Sequence, residues 1–216
     1  MRWSAWAFAA GVALAMLAPL SARADESAEA RLRARLGPEL APQVIEIVRD
    51  AAAQSLPTAP LVARALEGAS RQAGADAIVA AVRRQASGLA AARRVLGPAA
   101  RDAELEAGAG ALLAGVPEDS LASLKRARPT GSLVIPLVVL SDFVARGVPA
   151  VNASNTVLSA TRAGAPDPAL LRMRERINER IQRGEKPAGA SHAGLRELLA
   201  TTSPGRDRGA TRKGAR

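Results

Sequence analysis

The stretch GSLVIPLVVLSDFVARGVP, Gly131 to Pro149, holds the longest strongly apolar run of the chain outside its extreme N-terminus. Ser132 is a good helix N-cap, and Pro136 falls in the first turn, where its missing N–H costs little. An apolar stripe at steps of four, three and four follows one side of the segment, at Leu133, Leu137, Leu140 and Val144. The run therefore predicts a helix enclosed by its neighbours, although its short β-branched centre is also compatible with a buried strand.

Regularly spaced glycines extend this interpretation to the rest of the chain. Gly115, Gly131, Gly147 and Gly164 lie 16, 16 and 17 residues apart. Each marks a turn followed by a helix of about three turns, and two such helices make a unit of about 33 residues, a length typical of helical-hairpin repeats. We predict an all-α fold, a compact array of eight to ten short helices with helical-hairpin repeat character.

A second regularity has a longer period. The tripeptide Leu-Gly-Pro at 36–38 recurs at 96–98, which is 60 positions later, and at the same offset Pro57 matches Pro117. This predicts a duplication that relates residues 36–95 to residues 96–155. Chance matches in an Ala-rich chain are the alternative.

The N-terminus predicts export. Arg2 is followed by an uncharged apolar segment, and Ala22 and Ala24 provide the small residues that a signal peptidase requires. We expect a signal peptide at residues 1–24, cleaved after Ala24, with an uncleaved membrane anchor as the alternative. The mature protein would then be a bacterial periplasmic or secreted protein without a membrane span.

The composition changes again near the C-terminus. Residues 25–183 predict a single helical domain, with a weak break expected at Ser87-Gly88. Residues 184–216 are rich in Gly, Pro, Ser and Ala and hold seven basic and three acidic side chains. We predict a flexible basic tail there, with only a short helix at 195–200.

Several chemistries are disfavoured by the residues available. The chain has no Cys and one His, His192, which falls in the predicted tail where nothing rigid would hold it. We therefore expect no nucleophilic triad, no metal site and no cofactor. Gly108-Ala109-Gly110 lacks the Lys and Ser/Thr of a phosphate-binding loop and instead predicts close helix packing.

Carboxylate catalysis is the enzymatic alternative. A helical exported protein with one acidic general acid would resemble a lytic transglycosylase or another wall hydrolase. The candidates are Glu67, Glu104, Glu106 and above all Asp142, which sits beside Phe143 in the most apolar helix. Sugar-binding clefts usually need aromatic platforms, and Phe143 is the only aromatic residue beyond the leader, so we assign no catalytic residue.

A basic row gives the second alternative. Arg172, Arg176 and Arg180 are four residues apart, so they share a helix face, where Glu175 and Glu179 are expected to offset their repulsion. The candidate anion contacts are Arg172, Arg176, Arg180 and Arg183 on the helix, with Arg206, Arg208, Arg212 and Lys213 in the tail. They predict contact with an anionic polymer or lipid surface, whereas nucleic acid is disfavoured because aromatic side chains for base stacking are lacking.

These patterns together predict an exported cell-envelope protein that acts as a non-enzymatic helical binding or structural module. Its partner would be another protein or an anionic envelope polymer or lipid surface. The sequence leaves its oligomeric state open.

Overall fold

The computed structural model describes the backbone of residues 20–202 and the side chains of residues 26–201. In this part the chain is all-helical, as predicted, and the strand alternative for residues 133–140 is wrong. The helices are α1 (Leu20–Ala53), α2 (Ala59–Ser70), α3 (Ala75–Leu96), α4 (Asp102–Leu113), α5 (Glu118–Ala127), α6 (Val134–Ala145), α7 (Ala150–Arg162), α8 (Asp167–Gln182) and α9 (Pro187–Thr202). None of these helices is both long and apolar enough to cross a membrane. Most of the predicted leader, residues 1–19, and residues 203–216 of the predicted tail lie outside the described residues.

The helices form two layers. In one layer α1, α3, α5, α7 and α9 pack in succession, and in the other α4 packs on α6 and α6 on α8. Neighbours along the chain join the layers, since α2 packs on both α1 and α3, α4 on α3, α7 on α6, and α9 on α8. This is the packing of stacked helical hairpins, in which each hairpin contacts mainly the next one.

Three of the four predicted glycine turns, at Gly115, Gly147 and Gly164, end helices, whereas Gly131 lies in the segment between α5 and α6. At Gly147 the chain has a φ of 84°, and the N–H of Val148 donates to the carbonyl of Phe143 at 2.9 Å. This left-handed cap with its long-range hydrogen bond uses carbonyls that the helix end leaves unpaired. The same bond recurs from Val116 to Ala111 and from Ala165 to Ala160. The spacing of these turns therefore sets the helix lengths.

The backbone also repeats at the 60-residue offset. Gly37, which divides α1 into two helical segments, has φ 76° and ψ 176°, and Gly97 has φ 84° and ψ 176°. Ser55 and Gly115 both have positive φ, and each is followed by the same capping bond, from Leu56 to Ala51 and from Val116 to Ala111. The duplication itself stays a prediction.

Helix α6 is buried on one side only. Leu137, Leu140 and Phe143 have no exposed surface, but Val138 is 38% exposed. The prediction that the helix is enclosed on all sides is therefore wrong. The hydroxyl of Ser132 accepts a hydrogen bond from the N–H of Val134 at 3.2 Å, although the helix begins only at Val134. The side chains of α6 join a core cluster that runs from the end of α3 to α9.

A second core cluster fills the N-terminal half and meets the first at α4. Leu105 and Ala109 of α4 belong to the N-terminal cluster, whereas Ala111 belongs to the C-terminal one.

The helix break predicted at Ser87-Gly88 does not occur, because α3 continues through these residues. A Cβ at Gly88 would lie 3.2 Å from the Leu113 side chain, so this glycine permits close approach of α3 and α4 instead of ending a helix.

The last helix corrects the boundary of the predicted tail. Residues 187–202 form α9, which is much longer than the short helix expected at 195–200. Its buried side, Ala190, Ser191, Gly194 and Leu198, repeats at helical spacing and packs against α7 and α8. Most of these buried residues are small. The segment therefore has the amino-acid composition of a linker although it packs as a helix.

A groove between α7 and α9

The row of arginines predicted on α8 is present but largely paired. Arg176 Nη1 lies 2.6 Å from Oε1 of Glu197 on α9, and Arg180 Nη1 lies 3.1 Å from Oε1 of Glu185. The acids that offset the row are therefore Glu197 and Glu185, not the predicted Glu175 and Glu179. Arg183 donates to the carbonyl of Glu179 at 3.3 Å.

The remaining predicted anion contacts are Arg172 on α8 and four residues of the predicted tail. Arg172 is exposed and has no ion pair with another described residue. Arg206, Arg208, Arg212 and Lys213 lie outside the described residues. Their contact with an anionic surface stays a prediction.

Three of the four carboxylates considered for catalysis are engaged in structural contacts, and the fourth, Glu106, is exposed. Oδ2 of Asp142 accepts a hydrogen bond from Nδ2 of Asn178 at 3.0 Å and lies 3.3 Å from Nε of Arg146. Glu67 pairs with Arg64 and Arg71 on its own helix. Asp142 therefore links α6 to α8, and its carboxylate is held by a cation and an amide.

Glu104 is the most buried carboxylate of the described chain, with 8% of its surface exposed. Its Oε2 accepts from the N–H of Arg101 at 3.1 Å, and its Oε1 accepts from the N–H of Leu133 at 2.9 Å. Burial alone would raise the pKa of Glu104, but these two backbone hydrogen bonds and the charge of Arg101 outweigh it and lower the pKa below its usual value. The ionised carboxylate thus ties the start of α4 to the turn before α6.

The sole histidine is held on an ordered helix. The sequence placed His192 in a flexible segment, but it is an exposed residue of α9, two turns before Leu199. There it lines an open groove between α7 and α9 with a volume of about 770 Å³. The reason given above against a role for His192, that nothing rigid holds it, is therefore wrong.

Six of the nine residues that line the groove have polar side chains, although more of the lining surface is apolar than polar. Its α7 wall consists of Asn152, Asn155, Thr156 and Ser159, and its α9 wall of Ala188, Gly189, His192, Leu195 and Arg196. The α7 residues recur at steps of three, one and three, which places them on one helix face. Two smaller cavities, of about 390 Å³ between α1 and α3 and about 350 Å³ beside Glu104, have fewer uncharged polar groups.

The polar groups of the groove are not used inside the protein. Thr156 is only 2% exposed, and its hydroxyl makes no hydrogen bond with another described residue. The amides of Asn152 and Asn155 and the guanidinium of Arg196 likewise have no side-chain partner among residues 26–201. Since most buried hydroxyls are hydrogen-bonded, an unpaired one in a groove is available to a ligand.

This groove was not identified from the sequence. Asn152, Asn155 and Thr156 marked α7 as a more polar helix, and their spacing on one face was the available signal. The opposite wall was assigned to a flexible tail, so no surface was expected across from them.

The described residues hold no group of three or more His, Cys, Asp or Glu side chains placed to bind a metal ion. The groove offers amides, hydroxyls, an imidazole and a guanidinium, which suit recognition of a polar ligand more than covalent chemistry. Comparison of the chain with protein-family models, with curated proteins and with solved structures gave no match.

Proposed function

We propose that this chain is an exported, non-enzymatic binding module of a cell envelope and that the groove between α7 and α9 holds its partner. The observation that carries the proposal is the set of unpaired hydrogen-bonding side chains on both walls of the groove, above all the recessed hydroxyl of Thr156. Export is supported by the leader pattern at residues 1–24, with cleavage after Ala24.

The stacked helical hairpins support a binding role because such arrays present extended surfaces on a rigid frame. The groove lies between two helices that are each fixed on other helices, α7 on α5 and α6, and α9 on α8. Its walls therefore keep their spacing without the ligand, which lowers the entropic cost of binding.

The wall-hydrolase alternative has less support. Asp142, its main candidate, pairs with Arg146 and Asn178 and lines none of the cavities described above. The α7 and α9 walls of the groove contain no carboxylate that could act as a general acid.

Photo-crosslinking in intact cells tests the proposed site. A benzophenone amino acid at Ser159, inside the groove, is expected to form a discrete adduct with an envelope component. The matched control carries the same group at Arg84, which is exposed on α3 and outside the groove, and should form no such adduct. Adding Asn155→Ala should reduce the adduct at Ser159 because it removes an unpaired amide. Equal labelling from Ser159 and Arg84, or no adduct at Ser159, would refute the groove as the binding site.

A further inference from the structure

We infer that the ligand of the α7–α9 groove is an extended, acidic peptide segment. The inference rests on the proposed function, since it names the class of partner for the same site. It follows from the length of the groove, from the groups on each wall and from the sign of their charge.

The dimensions suit a chain-like ligand. The α7 lining residues run from Asn152 to Ser159 and the α9 lining residues from Ala188 to Arg196. At 1.5 Å per residue these walls extend for about 10 and 12 Å. A β-extended peptide advances about 3.3 Å per residue, so three to four residues span the groove. Because the groove is open to solvent, its ligand can be part of a longer chain.

The α7 wall matches a peptide backbone. Each carboxamide, on Asn152 and on Asn155, provides a donor and an acceptor, the same pair that a peptide group provides. The hydroxyls of Thr156 and Ser159 can donate or accept beside them. A main chain in this position would satisfy all these groups with its alternating N–H and C=O groups, independently of its side chains.

The α9 wall favours a ligand that carries negative charge. Arg196 lies one helical turn from His192, and Arg196 has no ion pair with another described residue. Its neighbour Glu197 is engaged with Arg176 and Arg180 of α8 and does not line the groove. Because no carboxylate lines the groove, the unpaired guanidinium favours an Asp or Glu side chain, or a C-terminal carboxylate, on the ligand.

The same lining disfavours the other linear anions of an envelope. No Phe, Tyr or Trp side chain lines the groove, whereas sugar recognition commonly uses the face of such a ring against the sugar. A lipid headgroup layer meets a flat or convex surface, and it would not reach the recessed hydroxyl of Thr156. A polypeptide is the linear polymer whose repeating group matches the paired carboxamides.

Selection from a displayed library of random peptides about ten residues long, with the full mature chain as bait, tests this inference. We expect enriched peptides that share Asp or Glu at one or two fixed positions. Synthetic copies should bind about tenfold more weakly to Arg196→Gln and to Asn155→Ala, the loss expected for one charge-assisted or buried hydrogen bond. Arg84→Gln, the matched loss of an exposed cation on α3 outside the groove, should bind as well as the wild type. Unchanged circular dichroism of each variant shows that its fold is retained.

Three outcomes would overturn the inference. One is enrichment of basic or apolar peptides, or of no consensus. Another is binding that Arg196→Gln leaves unchanged. The third is displacement of the selected peptide by an acidic oligosaccharide or by phosphatidylcholine–phosphatidylglycerol vesicles at lower concentration than by free peptide. If these occur while Ser159 still gives its adduct, the groove is a binding site for another class of ligand; without that adduct the proposed function fails as well.

Discussion

A chain that ends at Gly184 is expected to lose most of its cooperative thermal unfolding, whereas a chain that ends at Thr202 should melt like the full protein. The first truncation removes α9 and uncovers the side chains of Ile177 and Met173, which are 0% and 2% exposed. Exposing each large aliphatic side chain costs about 1.5–3 kcal/mol. For these two side chains the loss is about 3–6 kcal/mol, a large part of the 5–15 kcal/mol typical of a folded domain.

Circular dichroism during heating measures this difference. The predicted flexible tail at residues 184–216 would instead imply that a chain ending at Gly184 keeps its helical signal. The sequence and the structure therefore predict opposite results for the truncated chain. A truncated chain that melts at the same temperature as the full protein would show that α9 contributes nothing to the core.

Two glycines of α9 allow the same test without shortening the chain. A Cβ on Gly194 would lie 2.8 Å from Cδ1 of the fully buried Ile177 and closer still to its Cγ1, so Gly194→Ala should force α9 away from α8. Overpacking of this kind costs about 1–3 kcal/mol. A Cβ on Gly189 would meet nothing within 4 Å, so Gly189→Ala should stabilise the helix by up to about 1 kcal/mol. Equal effects from the two substitutions would mean that α9 is not docked.

Glu104→Ala is expected to destabilise the protein strongly although it removes no apolar side chain. It leaves the N–H groups of Arg101 and Leu133 without their acceptor, and the N–H of Leu133 is buried. An unsatisfied buried donor costs about 1–3 kcal/mol, so the free energy of unfolding should fall by about 2–4 kcal/mol. Glu104→Gln should lose less because its carbonyl oxygen replaces one acceptor. The exposed Glu106 of the same helix provides the control, and Glu106→Ala should change stability by less than about 0.5 kcal/mol.

The contribution of Glu104 should also depend on pH. Its pKa in the folded protein is lowered from the usual 4.5, so the unfolded chain binds the proton more readily than the folded one. Its stabilising effect is therefore present above pH 4.5 and is lost as the pH falls through the folded pKa. Denaturant unfolding of wild type and Glu104→Gln from neutral pH downward measures it. The wild-type advantage should shrink below pH 4.5, and an advantage that stays constant would contradict this role.

The parts of the fold that were predictable from sequence have local causes. Gly115, Gly147 and Gly164 end helices through positive φ, a property of the residue itself, so their spacing predicted the helix lengths. The apolar stripe of α6 was also predictable, because it depends only on the spacing of residues within one segment. Gly88 was misjudged because its role depends on α4, which approaches it from elsewhere in the chain.

The candidate site depends almost entirely on such non-local packing. The wall of α9 has few large apolar residues, and its docking depends on Gly194 admitting Ile177 from α8. No composition or periodicity within residues 184–216 reveals this fit. Consequently His192 was assigned to a flexible tail and Arg196 to a short helix within it, and no surface was expected opposite the polar face of α7.

Hydrogen–deuterium exchange of the full mature chain tests the central claim most directly, which is that α9 is a docked helix that forms one wall of the groove. Backbone amides of residues 191–198 should exchange as slowly as those of α8, because both helices would open only with the surrounding core. Exchange of these amides at the rate of an unstructured chain would contradict both the docked helix and the groove built on it.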